Sequence, residues 1–553
     1  MSRSPFAALC LSASFLLGAC AETPGADGDG APCRGKCDGG GGLGDADGDG
    51  ASLCLAIRGN GPRITAHFGA IARLLEHHGP IDAVAGGSSG SISAFLLESV
   101  QGNPAARTCA GRACTPREAG ERAALLFKSV QGYVEVLADT DEALAFAETA
   151  RLAQAIAARD VEALLASDPE AGVAALRGVL TSPTLRALVN PELLELLATS
   201  PDPAFHARDL AATLSRGLSF TADDPTIFVR PGAVDFPAFI ERVGRVASFY
   251  AGYGPDDGGA LASWLDDCAP RARGLTWAEI ARLPRGGATC GADFRALLGR
   301  WRDATLARPG AYRSRLDDAV GARLPALVTT GVLEGDAIDA WHGARAAYLE
   351  AGPVALAVDY ADVGVGYWGH RDDLAALLAG AARRDDLKSR KRTSLGEATW
   401  RVALAASPAE PGLSRGVELD DGRISVGGWS DLQPVLALED LGCDRTVFLT
   451  RFGGAGSFER GITELLGIDD AEAHALFALA DPASSYYQAL EAAAGVWCSD
   501  WDTPPVTDLP RMTSVGYDAA FETTDPAFTE ADLPYAGAVA RTGIAGCTLG
   551  VTE

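Results

Sequence analysis

Ser88 stands in Gly86-Gly87-Ser88-Ser89-Gly90, a G-x-S-x-G pentad set between the apolar run Ile81 to Ala85 and the helix-forming stretch Ile92 to Val100. A sharp turn at such a strand-to-helix junction lifts a serine oxygen out of the backbone, and the small residues beside it let an ester carbonyl come close. The chemistry this suits is nucleophilic attack through a covalent acyl-serine. A second pentad, Gly412-Leu413-Ser414-Arg415-Gly416, follows Pro408 and Pro411 with no strand before it, and reads as loop. An attacked carbonyl also needs donors for its oxygen. The amides of Gly59, Asn60 and Gly61, with Arg63 nearby, are the candidates for that oxyanion hole. A dinucleotide fingerprint would want glycine where Ile64 stands, and a P-loop would want a lysine that this cluster lacks. An ordinary tight turn is the structural alternative.

The flanking elements place both turns together. Leu53 to Ile57 reads as a buried strand. Phe68, Ile71, Leu74 and Leu75 recur at helical spacing, and Gly79-Pro80 stops that helix. A second strand then leads into Ser88. The order strand, Gly-rich turn, helix, strand, serine turn, helix is a βαβα unit with parallel strands and a right-handed crossover. Both turns therefore open at the carboxyl ends of neighbouring strands, where open α/β sheets hold their ligands.

Leu55 to Phe95 resembles the amino-terminal part of the patatin-like phospholipases, with Gly59, Gly61 and Arg63 matching that family's G-G-G-x-R-G loop and Gly86, Ser88 and Gly90 its elbow. Asn60 and Ile64 depart from the loop pattern. Further matches follow in the family's order: Leu324 to Gly331 with Glu334-Gly335, then Ala406-Ser407-Pro408-Ala409-Glu410-Pro411-Gly412, then Gly427-Gly428, Pro434 and Leu441-Gly442 before a strand from Thr446 to Thr450. The resemblance implies a three-layer patatin-like α/β fold with a mainly parallel central sheet, interrupted by a large helical insertion. It also implies hydrolysis of lipid acyl esters, with no cofactor. The family activates its serine with an aspartate directly before Gly-Gly, and here Val426 occupies that place. Asp431, three residues beyond Gly428, is taken as the catalytic partner of Ser88. Asp421 and a site with no base are the alternatives, although Asp421-Gly422 reads as a hairpin turn with Arg423 to Val426 as the return strand. Without a base, the chain would be a catalytically silent surface lipoprotein that binds lipid or a protein partner. Among the histidines, His370 is the one candidate for a Ser–His–Asp triad, while His67 and the helix-closing His77-His78 read as structural.

The amino terminus reads as an address. Arg3 precedes the apolar stretch Phe6 to Ala19, which is short for a membrane span and ends in Leu17-Gly18-Ala19-Cys20. This resembles a bacterial lipobox, so residues 1–19 are expected to be a signal peptide and Cys20 the lipidation site. Residues 20–50 form a Gly-rich acidic tether to the cell envelope. Asp45 to Gly50 begins like a calcium loop but lacks the closing glutamate, so no metal is expected. Ten cysteines remain beyond Cys10 and Cys20, an even number suited to an oxidising compartment. Cys33/Cys37, Cys109/Cys114, Cys268/Cys290 and Cys498/Cys547 are the expected pairs.

A net charge of −26 argues against nucleic acid as a partner. The one compact basic run, Lys388 to Arg392, reads as a solvated helix end. Residues 51–115 are read as the first part of the core, 116–323 as the helical insertion, 324–452 as the second part of the core and 453–553 as a C-terminal extension. The insertion is read either as a cap over the cleft, forming an acyl-chain pocket, or as a side domain without a part in the chemistry.

Overall fold

A computed structural model describes residues 51–59, 63–137, 167–180, 195, 199, 236–254, 259–308, 312–339, 363–408, 416–451, 485–499, 501, 508–518, 520–523 and 538–540. The signal peptide, Cys20, the tether, Asn60, Gly61, Ser414 and Cys547 lie outside them.

Eleven strands form one sheet. They are β1 (Leu53–Ile57), β2 (Ala83–Gly87), β7 (Ala326–Leu333), β8 (Gly364–Trp368), β9 (Arg392–Gly396), β10 (Val417–Glu418), β11 (Ile424–Ser425), β12 (Arg445–Arg451), β13 (Gly495–Ser499), β14 (Ala520–Thr523) and β15 (Ala538–Ala540). Two short hairpins stand apart, β3 (Thr108–Cys109) with β4 (Arg112–Ala113) and β5 (Pro284–Arg285) with β6 (Ala288–Thr289). The main order is β10-β11-β7-β2-β1-β12-β13-β14-β15, with β8 and β9 branching from β7. The centre is parallel: β2, β1, β12 and β13 run together, and β7 joins them through β2.

Period-two alternation splits the sheet into two buried faces. Leu53, Leu55, Ile57, Val84, Val328, Val447 and Leu449 point to one core, while Cys54, Ala56, Ala85, Leu327 and Phe448 point to the other. The first face is covered by α1 (Thr65–His78), α2 (Ser89–Gln101), α3 (Pro116–Leu137), α4 (Phe236–Tyr250) and α5 (Cys290–Ala307). The second is covered by α6 (Arg371–Ala381); α7 (Trp400–Ala406) returns to the first; α8 (Val435–Leu441) and α9 (Ser485–Ala492) lie on the second; α10 (Leu509–Tyr517) lies on the first. The molecule is thus α/β, with helices on both sides of a mainly parallel sheet. Among the described residues no helix is long and apolar enough to cross a membrane.

Two expected boundaries change. The sheet does not end near 452: β13 extends it in parallel beside β12, and α10 packs along α1. Residues 453–553 therefore contribute strands to the same sheet rather than an appendage. Described helices of 116–323, among them α3, α4 and α5, also share the first-face core. α3 lies on α1, and α4 lies on α2. Arg315, fully buried, ties this region in. It bridges Glu98 of α2 at 3.0 Å and Asp318 at 3.0 Å, and Trp400 Nε1 donates to the same Glu98 at 2.7 Å.

Disulfides Cys109–Cys114 and Cys268–Cys290 form as the spacing suggests. Cys498 is also disulfide-bonded. A third bridge, Cys54–Cys443, was not expected. It joins β1 to the turn that opens β12, residues 389 apart in sequence but adjacent in the sheet. Replacing both cysteines by alanine is expected to cost about 2–4 kcal/mol by releasing that constraint on the unfolded chain. Urea denaturation of the double variant under oxidising conditions measures it. An unchanged midpoint would show that the bridge contributes nothing.

Candidate active site

β2 delivers Ser88 to the carboxyl end of the parallel strands. Ser88 adopts φ 52° and ψ −126° immediately before α2, a conformation costly for any residue with a side chain. Small neighbours make it possible. A methyl group on Gly86 would come within 2.6 Å of the Gly90 backbone, and one on Gly90 within 2.6 Å of the Ile57 carbonyl. One on Gly87 would lie 2.6 Å from the Gly428 carbonyl oxygen. Gly86, Gly87 and Gly90 are therefore required by close backbone approach rather than by a turn type alone. The Ser91 amide and hydroxyl both donate to the Ser88 carbonyl, at 3.0 Å and 2.6 Å, and start the helix.

The Gly-rich turn after β1 reaches the same place. Its entry is zipped to β12 through the Arg58 amide on the Leu449 carbonyl at 3.1 Å. A methyl on Gly59 would lie 3.3 Å from Ser88 Cβ, 3.1 Å from the Gly87 carbonyl oxygen and 3.0 Å from Leu432 Cδ2. Gly59 is thus brought beside Ser88, and Arg63 opens the turn into α1. Asn60 and Gly61 complete that loop outside the described residues.

The edge geometry of β7 brings in the Gly-Gly segment. β8 covers one edge of β7 from Val328 to Val332. On the other edge β2 takes residues 326–329 and β11 takes 332–333, so the chain leaving β11 runs past the end of β2. The Gly331 amide donates to the Gly427 carbonyl at 2.6 Å, and the Val426 amide donates to the Gly331 carbonyl at 2.9 Å. Gly428 then presses on Gly87 and on the Ser88 amide, where a side chain would collide. The segment leading into Gly427-Gly428 is therefore held beside the serine turn, with the buried Val426 directly before it.

Asp431 is close in the fold but otherwise engaged. It is fully buried in a short 3-10 turn, with its carbonyl accepting from Thr329 Oγ1 at 3.2 Å. Its Oδ1 accepts from Lys388 Nζ at 3.0 Å, and its Oδ2 accepts from the Tyr367 hydroxyl. Burial alone would push this carboxyl up, but the Lys388 and Arg392 charges more than reverse the effect and hold it below the ordinary carboxylate range. Among the described residues no hydrogen bond joins Ser88 Oγ to Asp431, whose carboxylate accepts from Lys388 and Tyr367. The expected Ser88–Asp431 hydrogen bond is not formed, and the carboxylate is engaged instead by Lys388 and Tyr367.

The other candidates are also accounted for. Asp421 sits in the exposed hairpin turn and binds Arg423 Nε at 2.8 Å. His370 caps α6 by accepting from the Asp372 amide at 3.4 Å, and its Nε2 lies 3.4 Å from Glu397. Lys388 to Arg392 is not a solvated run. Lys388 is buried, donating also to Gln433 Oε1 at 2.6 Å, and the Arg392 guanidinium pairs with Asp440. Counting charges along the chain could not reveal this, because the acids that bind these cations come from a segment some forty residues later.

His67 lies buried behind the elbow. Its Nδ1 is 2.8 Å from Ser93 Oγ, and its ring meets Trp501 edge-on at 5.1 Å. Burial lowers its pKa from 6.5 to about 3, against weaker opposition from the Arg58 main chain. A folded-state value below the unfolded one means the unfolded chain takes the proton first. Stability is then complete above about pH 6.5 and falls with pH by up to about 1.4 kcal/mol per unit. Urea midpoints between about pH 7 and pH 5 are expected to show this slope, and His67→Gln to reduce it. Equal slopes in both proteins would mean that His67 protonates freely in the fold.

No family model matches the chain, and no curated protein or solved structure matches it either.

Proposed function

We propose that the chain is a serine acyl hydrolase of the patatin-like phospholipase type, acting on lipid acyl esters from an envelope anchor at Cys20. The observation that carries this reading is Ser88 itself. A serine is held in strained backbone geometry at a strand-to-helix junction, with a Gly-rich turn beside it and a sheet whose carboxyl ends open there. Such strain at a reactive residue is a signature of a nucleophile elbow. In the proposed reaction Ser88 Oγ attacks the ester carbonyl, and the alcohol leaves. Water then releases the acid from the acyl-serine, and the Gly59, Asn60 and Gly61 amides near Arg63 stabilise the oxyanion. The ordered run of family-like segments supports lipid as the substrate class, and the disulfides fit an exported protein.

A second reading has its own support. Val426 stands where the family's acid belongs, and Asp431 is spent on Lys388 and Tyr367. A serine without a base is a poor nucleophile, which favours a silent protein that binds lipid. A fluorophosphonate probe on the full chain separates the two. The hydrolase reading expects labelling that disappears in Ser88→Ala and persists in Ser414→Ala. No labelling of the parent chain would leave the silent reading.

A further inference from the structure

We infer that Ser407 is the positioning residue of the elbow: its hydroxyl holds Ser88 in its strained conformation, so that Ser88 reactivity depends on a side chain remote in sequence that touches no substrate. The inference rests on Ser88 being the nucleophile for its effect on reactivity, and on hydrogen bonds alone for its effect on structure. The Ser88 amide donates to Ser407 Oγ at 2.8 Å. The same hydroxyl donates onward to the Thr329 carbonyl at 2.8 Å, on the β7 edge that β2 leaves unpaired after Gly87. The Ser407 carbonyl accepts from the Gly428 amide at 2.6 Å. One buried residue at the end of α7 thus fastens the elbow, strand β7 and the Gly-Gly segment, all at the point where the sheet ladder is interrupted.

The chemistry of the residue fits the task. At this point an amide and a carbonyl both need a partner, and a hydroxyl is the smallest side-chain group that accepts from one while donating to the other. Without it, a buried amide and carbonyl lose their partner, while the unfavourable φ of Ser88 is no longer opposed. A second consequence follows for the oxyanion. The Ser88 amide is spent on Ser407, so stabilising donors must come from elsewhere, and Gly59 is already alongside.

The test uses the full chain with Ser407→Ala and Ser407→Thr, and reads two quantities. Amide hydrogen exchange at Ser88 is expected to accelerate about tenfold or more in Ser407→Ala, with exchange in the β12 and α1 amides unchanged, and to return near the parent value in Ser407→Thr. Fluorophosphonate labelling of Ser88 is expected to slow about tenfold or more in Ser407→Ala and to recover in Ser407→Thr. If alanine at 407 prevents folding, Ser407→Cys replaces it, its sulfur being a weak acceptor, with a smaller acceleration expected. Unchanged Ser88 exchange in a folded Ser407→Ala or Ser407→Cys variant overturns the inference. A parent chain that takes no label sinks the hydrolase reading instead, while the exchange result still decides whether Ser407 holds the elbow.

Discussion

Val426→Asp is expected to accelerate acylation of Ser88 by about 10²-fold, the usual contribution of a positioned general base. Val426 and Gly427 are hydrogen-bonded to Gly331, and Gly428 is pressed on the Ser88 amide. A carboxylate at 426 would therefore be introduced two residues before the glycine that presses on the serine turn. It would be introduced at a buried position, so burial should raise its pKa and the gain should grow as pH rises through that value. The same burial should lower stability by a few kcal/mol. Fluorophosphonate labelling rates across pH, with Val426→Asn as the uncharged control, measure the effect. If folded Val426→Asp labels no faster than Val426→Asn at any pH, position 426 does not face the serine.

Lys388→Met is expected to destabilise the fold by about 3–5 kcal/mol, because it strands Asp431 as a buried carboxylate with one fewer cation. Lys388 and Asp431 are both buried, 3.0 Å apart, with Tyr367 and Arg392 completing the cluster. Removing both charges in Lys388→Met/Asp431→Leu should recover much of the loss, since a pair of apolar side chains needs no compensation there. The acid limb carries a further sign. The folded-state pKa of Asp431 is depressed, so its contribution is present above the ordinary carboxylate value and is lost as pH falls through the folded value. Lys388→Met should weaken that acid dependence. Denaturant midpoints of the two variants and the parent check the claim, and a Lys388→Met protein as stable as the parent would mean that Asp431 is neutral in the fold.

The central unit was legible because it is local. Apolar runs of strand length, helical spacing from Phe68 to Leu75 and the Gly79-Pro80 stop lie within a few turns of one another, and β1, α1, β2 and α2 appear close to where those signals put them. The extent of the sheet was not legible in the same way. β13 has no motif of its own, and its place beside β12 depends on parallel pairing, which no local pattern encodes. The insertion was visible as helices, but its sharing of one core with α1 and α2 depends on contacts such as Arg315 with Glu98.

The amino-acid sequence by itself determined the serine turn, the Gly-rich turn before it and their common end of a parallel sheet. Those features follow from steric rules that act within a few residues. Tertiary structure alone decided that Asp431 is held by Lys388 and Tyr367, that Cys54 bonds Cys443, and that Ser407 grips the Ser88 amide. Each of these joins groups forty to several hundred residues apart. Their partners are chosen by where the sheet edges end and by which buried polar groups remain to be satisfied, a question that exists only once the chain has folded.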